Sequence, residues 1–298
     1  MRPLRAATRG SELALAQTRR VTAALGEPAE EVVVSTVGDR RPDVPIWELG
    51  GRGVFVKEVQ AAVLDGRADF AVHSAKDLPS SSPPGLVIAA VLERGDPRDA
   101  LVGTALADLP PGAHVATGSV RRRAQLASLR PDLTFAGLRG NIGTRLEKAA
   151  DFDAVVVAAA ALVRLGLTGA AAELLDPGVV LPQVGQGAIA VEAREDDERV
   201  LAALARLEHR PTRLAVDAER AYLRRLGGGC DLPVAGHARV AGDGRITLSA
   251  MLATLDGHIV LSATGSGDDP EALGTALADR LVDESGGAWL LESLRGLA

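Results

Sequence analysis

The apolar residues of the chain change period repeatedly, and each change predicts an element. "SELALAQTRRVTAALG" opens on a capping serine, Ser11, and closes on Gly26, the pattern of a helix. "VVVSTV" (32–37), "DFAVHS" (69–74) and "LVIAAV" (86–91) are short apolar runs of the buried-strand kind. Between them, "GVFVKEVQAAVLDG" sets Phe55, Val59, Ala62 and Val63 on one helical face. A second cycle follows. "HVATGS" (114–119) runs into the helical "VRRRAQLASL", "LTFAGLRG" into "NIGTRLEKAA", and "DAVVVAAAAL" reads as a further fully buried strand. Such alternation predicts an α/β architecture with largely parallel strands.

The stretch "VVLPQVGQGAIAVEAR" (179–194) and the helical "DDERVLAALARL" arrive after the second cycle has its strands. This strand–helix pair is therefore a candidate to return to the first unit, and two crossovers would make a hinged pair around a cleft. From about Pro211 the pattern changes again. A helix, "TRLAVDAERAYLRRLGG", precedes three antiparallel-type strands, "VAGHARV", "ITLSAMLAT" and "HIVLSATG", with turns at "AGDGR" and "LDGH". Helical segments at 270–283 and 287–296 close the chain. The predicted boundaries are 1–95 plus 185–207 for a discontinuous first domain, 96–184 for the second and 208–298 for an α+β third. One segment, "GDRRPDVPIWELGGRG" (38–53), has no periodicity and reads as a long loop, either a lid or a merely solvated one.

A length of 298 residues fits two or three domains. Aromatics make up only 2%, too few for the ring platforms that bind single-stranded nucleic acid. A net charge of −6 gives no general attraction to polyanions or acidic membranes. No run approaches the ~20 apolar residues of a membrane span, and the N-terminus lacks a signal-peptide core. One cysteine excludes an intramolecular disulfide and suits a reducing compartment. A soluble cytoplasmic protein is expected. The histidines at 73, 114, 209, 237 and 258 show neither helical pairing nor a second cysteine nearby, so no metal site is expected. "GQGAIA" (185–190) mimics a dinucleotide fingerprint but continues as a strand rather than a helix, so no nucleotide is expected there.

The arginines carry more. Arg9 stands just before the first helix, Arg121, Arg122 and Arg123 open another, Arg139 ends a strand, Arg145 begins a helix, and Arg164 follows "VVVAAAALV". All are expected near strand carboxyl ends or helix N-termini, the edge that faces the ligand crevice in open α/β sheets. Ser11, Thr117 and Ser119 stand where hydroxyls can join them. Solvated surface arginines are the plainer alternative, but joint placement points to a ligand with several carboxylates or phosphates. In "AVHSAKDLPSS" (71–81), Lys76 and Asp77 are adjacent, so both can face inward only from a loop; a turn-forming aspartate is the alternative. The lone Cys230, in "LGGGCDLPVAGHA" (226–238), is a buried thiol, a nucleophile or an attachment point.

Eight segments, in order, resemble the porphobilinogen deaminase (hydroxymethylbilane synthase) family: "ATRGSELALAQ", "GGRGVFVKEV", "ADFAVHSAKDLP", "RGDPRDALV", "TGSVRRRAQL", "LRGNIGTRL", "VGQGAIAVE" and "GGGCDLPVAGHA". The resemblance implies two domains folded like type II periplasmic binding proteins around a cleft, with a third behind. It implies a dipyrromethane cofactor joined by a thioether to Cys230. Four porphobilinogen units would be condensed head to tail onto it with loss of ammonia, and water would then release hydroxymethylbilane. The partners it implies are porphobilinogen and the growing oligopyrrole, with no nucleic acid, membrane or metal, in a monomer.

By the same resemblance Asp77 is the catalytic aspartate. Lys76, Asp77, Thr117, Ser119, Arg121, Arg122 and Arg145 would hold the cofactor. Arg9, Ser11, Gln17, Phe55, Arg139 and Arg164 would meet substrate, Phe55 as an aromatic closing over the pyrroles. Two positions depart from the family pattern: Glu48, where many relatives have lysine, and Gly118, in place of a small hydroxyl residue. Neither receives a ligand role. Two other classes compete. A non-catalytic anion receptor explains cleft and arginines but not the cysteine, and a cysteine-nucleophile transferase needs a histidine such as His237 to activate the thiol.

Overall fold

The structure, a computed structural model, describes residues 2–40, 53–228 and 232–295. Most of the aperiodic loop, Glu48 with it, and Cys230 lie outside the described residues.

Strands β1 (Leu4–Arg9), β2 (Ala29–Val34), β3 (Phe70–Ser74) and β4 (Leu86–Val91) belong to a first sheet, with helices α1 (Glu12–Leu25), the short α2 (Val37–Arg40) and α3 (Lys57–Leu64) between them. A second sheet takes β5 (Asp99–Gly103), β6 (His114–Ala116), β7 (Thr134–Ala136), β8 (Ala154–Ala158) and β9 (Ala171–Leu175), with α4 (Val120–Leu129), α5 (Ile142–Glu147) and α6 (Ala159–Arg164). The chain then returns: β10 (Ile189–Arg194) inserts between β3 and β4, antiparallel to both.

The two sheets share one plan. Their orders are β2-β1-β3-β10-β4 and β7-β6-β8-β5-β9. In each, the fourth strand is antiparallel to its neighbours and is the strand that enters just after the chain changes sheets. Helices α7 (Glu198–Ala205) and α8 (Arg210–Leu226) lead to an antiparallel sheet of β11 (Val234–Val240), β12 (Ile246–Ala253) and β13 (Val260–Gly267), covered by α9 (Pro270–Asp279) and α10 (Gly287–Arg295). This is the α/β architecture with a C-terminal α+β unit that the pattern predicts. Among the described residues no helix is long and apolar enough to cross a membrane.

Local chemistry explains where the pattern misled. The run 153–162 is not one strand, for the chain turns into α6 at Ala159, where alanine replaces valine and helix propensity rises. β9, "AAELL", has the composition of a helix and is held as a strand only by pairing with β5. Residues 179–188 are irregular rather than extended, and β10 begins only at Ile189. The helix expected over 270–283 leaves α-geometry after Asp279 for one π-turn, Arg280–Glu284.

Each sheet has its own core. Leu4, Phe70, Ile189, Val21 and Leu204 fill the first, and Leu101, Leu126, Val156 and Leu175 the second. In the C-terminal unit Tyr222, Ile246, Leu248, Leu277 and Leu281 pack between sheet and helices. There α8 and α9 touch closely at Gly274, where a Cβ would lie 2.3 Å from the Ala218 carbonyl oxygen and 2.6 Å from Ala221 Cβ. Glycine to alanine inside a helix ordinarily stabilises by roughly 0.5–1 kcal/mol. Here the sign reverses: Gly274→Ala is expected to destabilise the protein by about 1–3 kcal/mol in urea unfolding, the cost of overpacking.

Candidate active site

The candidate residues gather at the carboxyl ends of β1, β3, β6, β7 and β8. At the end of β1, Ser11 caps α1, its Oγ accepting from the Ala14 amide at 3.3 Å. Arg9 is committed to Asp39, donating from Nε to Oδ2 at 3.2 Å and from Nη2 to Oδ1, and its guanidinium lies 4.2 Å from the centre of the Phe55 ring. Burial works to raise the Asp39 carboxyl, but hydrogen bonds from Arg9 and Thr36 hold it below its ordinary value. Gln17 donates to Ser74 Oγ at 2.7 Å. After Ser74 a 3-10 turn, Ala75–Asp77, takes Lys76 and Asp77 off the strand, as their adjacency required. Arg9, Ser11, Gln17, Phe55 and Asp77 together line one open hollow of ≈ 370 Å³. A neighbouring one of ≈ 250 Å³ is lined by Lys76 and Arg164 and shares Leu13 and Ser74 with it.

On the second sheet, Thr117 Oγ1 accepts from the Ser119 amide at 3.2 Å, and Ser119 Oγ caps α4 by accepting from the Arg122 amide at 3.4 Å. Arg121 and Arg122 are only 2% and 5% exposed. Both are locked onto Asp99, which leads β5: Arg121 Nη2 reaches Oδ2 at 2.7 Å, while Arg122 Nε and Nη2 reach Oδ1 at 3.0 and 2.8 Å. Further bonds run from Arg121 Nη1 to the Leu181 carbonyl and from Arg122 Nη1 to the Val156 carbonyl. Burial opposes ionisation of Asp99, yet the two guanidiniums hold its carboxyl far below the usual range.

Gln186 extends the cluster into the hinge. Its Nε2 donates to Asp99 Oδ1 at 2.8 Å and to the Pro97 carbonyl at 2.7 Å, while its Oε1 accepts from Lys76 Nζ at 3.3 Å. The glycines flanking Gln186 permit this. Gly185 has φ 73° and a Cβ there would meet Lys76 N at 2.9 Å; Gly187 has φ 86° and would meet the Gly95 carbonyl at 2.6 Å. The apparent nucleotide fingerprint is thus a close crossing of the two chain crossovers beneath the Lys76 turn.

The remaining cations are partly buried, and each of three feels another guanidinium nearby. Burial first, then the positive charge of Arg122, brings Lys76 down to about 8, with Asp77 and Asp99 pulling the other way. Burial brings Arg145 down to about 10, helped by Arg122 and Arg139 and opposed by Asp77. Arg164 is likewise lowered to about 10, by burial and then by Arg20, and donates to the Gly187 carbonyl at 2.6 Å. Arg139 Nη1 is buried with no hydrogen-bond partner among the described residues. Asp77 is therefore felt by Lys76 on its own turn and by Arg145 of the opposite sheet.

Sequence reasoning missed Asp39, Asp99, Ser74 and Gln186. Asp99 lies in "RGDPRDALV", where a charge heading an apolar run was the available signal; Asp39 sits in the aperiodic stretch and gave none.

A two-sheet α/β frame with a cation-rich cleft edge is a polyanion-binding architecture, and comparison with known proteins makes it specific. Residues 4–202 match the family model described as "Porphobilinogen deaminase, dipyromethane cofactor binding domain", and residues 213–283 match "Porphobilinogen deaminase, C-terminal domain". The chain belongs to the porphobilinogen deaminase family. It is 51% identical to the porphobilinogen deaminase of Roseiflexus sp. (strain RS-1) over 294 residues, which is 95% of this chain and 97% of that one. With the enzyme of Brevibacillus brevis it shares 45% over 298 residues, 97% and 96% of the two chains. Among solved structures, the Bordetella pertussis solute receptor DctP7, which binds pyroglutamic acid, is 16% identical with a TM-score of 0.40, over 75% of this chain and 84% of that one. A periplasmic His/Glu/Gln/Arg/opine family-binding protein from Silicibacter pomeroyi, in complex with lysine, is 12% identical with a TM-score of 0.36, over 75% and 92%. Likenesses of that degree say nothing about a ligand for this chain.

Asp99→Asn tests the buried cluster. Removing one charge from a buried set leaves two guanidiniums uncompensated, and a loss of about 3–5 kcal/mol in denaturant unfolding is expected. Loss of cofactor-binding capacity should accompany it.

Proposed function

We propose that the protein is a transferase that condenses porphobilinogen head to tail, with loss of ammonia, on a dipyrromethane joined to Cys230 by a thioether, and releases hydroxymethylbilane by hydrolysis. The observation that carries this reading is the charge distribution around Asp77. Lys76, Arg145 and Arg164 are pushed below their ordinary pKa values by burial and then by a neighbouring guanidinium, Arg122 for the first two and Arg20 for the third, and Arg139 keeps a buried N–H unpartnered among the described residues. Each pyrrole of substrate and cofactor brings two carboxylates, which relieve that repulsion. The residues present fit the cofactor: Lys76, Arg122 and Arg145 supply charge, and the hydroxyls of Thr117 and Ser119 still have protons to donate. When bound, the dipyrromethane supplies the free α-carbon on which the chain is built.

The protein's own groups have distinct work. Asp77 accepts hydrogen bonds from pyrrole N–H groups and stabilises the positive charge that develops on porphobilinogen as ammonia departs. Its carboxyl also assists proton transfer at the leaving amine. Arg139, Arg145 and Arg164 bind carboxylates; guanidiniums suit a site that must not titrate. Phe55 shields the pyrroles from water. Arg9 reaches a ligand carboxylate by giving up Asp39, and Ser11 and Gln17 border the same hollow. The sheet orders support domains at 1–95 plus 185–207, 96–184 and 208–298. We read the protein as a cytoplasmic monomer.

Intact mass spectrometry is the direct test: a covalent dipyrromethane absent from Cys230→Ser supports the reading, and an unmodified, active wild type overturns it. Asp77→Asn should lower kcat by about 10²–10³, the scale of a lost transition-state charge contact, while keeping the cofactor. Neutral replacements of Arg139 or Arg145 should weaken binding or stall elongation at intermediate lengths.

Lys76 adds a pH dependence. In the protein without cofactor its charge is present below about 8 and lost as pH rises through that value, so dipyrromethane loading of the apoprotein, followed by mass, should weaken above pH 8. In Lys76→Arg that weakening should vanish, because arginine stays charged.

A further inference from the structure

One buried carboxylate near the site has no part in binding or bond-making. Glu192 lies mid-strand in β10 with no exposed surface. It accepts from Gln60 Nε2 at 2.8 Å and from Ser82 Oγ at 2.9 Å, and His73 Nε2 stands 3.2 Å away. Burial works to neutralise it, but those partners hold its carboxyl below the ordinary glutamate value. The guanidinium of Arg220 on α8, itself 7% exposed, answers its charge. A carboxylate buried so deeply is a poor stabiliser compared with an apolar side chain of its size. Its geometry points elsewhere.

Glu192 does not line the hollow that holds Asp77, but through Gln60 and Ser82 it reaches the segments that follow two of its lining residues, Phe55 and Asp77. Gln60 belongs to α3, which starts two residues after Phe55, and Ser82 is five residues beyond Asp77. Between Asp77 and Ser82 the segment is fastened again, by Arg224 Nη1 on the Ser80 carbonyl at 3.0 Å, with Leu78 buried beneath it. On the near side Gln183 holds the Lys76 carbonyl at 3.2 Å and the Ala75 amide donates to the Ala188 carbonyl at 3.0 Å. Of these fastenings, only the one through Glu192 also reaches the Phe55 side, through α3. We infer that Glu192, acting through Ser82 and Gln60, is a positioning residue that sets Asp77 and Phe55 at a fixed separation across the hollow. It orders an ionised acceptor against two neutral donors, the stronger class of hydrogen bond.

This inference rests on Asp77 being the catalytic carboxylate, a reading tested separately by Asp77→Asn. Its own test uses holoenzyme, with cofactor loading confirmed by mass. Ser82→Ala removes one bond and leaves Glu192 its other partners, so the fold should survive. Expected are a kcat about tenfold lower, since small misplacements of a reacting group are costly, a KM within about twofold because the arginines are untouched, and an unchanged melting temperature. Ser82→Thr keeps the hydroxyl and should restore most of the kcat. Glu192→Gln, where it folds, should lower kcat further than Ser82→Ala. A Ser82→Ala enzyme with wild-type kcat overturns the inference. So does a loss that threonine fails to restore or that merely follows a fall in melting temperature. Wild-type turnover by Asp77→Asn would instead overturn the reading of Asp77, leaving the Ser82 comparison to report on whichever group that segment places.

Discussion

Everything around the cleft depends on one buried carboxylate, Asp99. It joins the strand that opens the second sheet to the helix bearing Arg121 and Arg122, and through Gln186 to the returning crossover and Lys76. Without a negative charge there, two guanidiniums with almost no solvent contact would face each other unpaired, an arrangement that costs several kcal/mol. With it, α4 has one orientation against the hinge. Hydrophobic contact fills the core beneath but is non-directional, and cannot by itself fix where a guanidinium points.

That anchoring changes what the cleft offers. Arg121 and Arg122 are held in advance, so little side-chain entropy is lost when an anion reaches the N–H groups they have left. Lys76, Arg145 and Arg164 are different: burial and neighbouring guanidiniums pull each below its ordinary value, with Asp77 opposing this at Lys76 and Arg145. The first group is fixed on Asp99, and under the proposed function both groups meet the ligand's carboxylates. Sequence grouped the strand-end arginines together and read Lys76 separately beside Asp77, since a strand-end arginine looks the same whether or not a carboxylate such as Asp99 stands behind it.

Much of the fold was legible because it is written in short-range periodicity. Ser11 and Gly26 bound α1 as caps do, and the three C-terminal strands fall where their turns place them. β5 and β9 were not legible. β5 is a strand through pairing with β8 and β9, and β9 through pairing with β5, and neither a leading aspartate nor an Ala-Glu-Leu composition announces that. The need for Lys76 and Asp77 to leave the strand was readable from the pleat alone. Which groups would surround them was not, because Gln186 lies 110 residues from Lys76 and Arg145 lies 68 from Asp77 in sequence, and only the crossovers between the sheets bring them together. The family resemblance supplied roles for Asp77 and Cys230 that no local pattern contains.

Asp99 is not alone in its kind. Glu219 on α8 takes both guanidinium nitrogens of Arg94 at 2.7 Å, the Gly185 amide at 2.7 Å and the Ala238 amide at 2.7 Å, and is driven to about 2 by Arg94 and His237 against the pull of burial. Those partners lie on the first crossover, the second crossover and β11, so one side chain ties the C-terminal unit to both crossovers. It also occupies His237, the histidine that a cysteine-nucleophile mechanism would have needed. Asp99, Glu192 and Glu219 thus repeat one device, a buried anion where segments distant in sequence converge. A cleft that must receive a polyanion is lined with cations, which repel one another and loosen any assembly held by apolar contact alone. Setting carboxylates behind that lining, inside the joints, lets the surface stay positive while the joints stay closed.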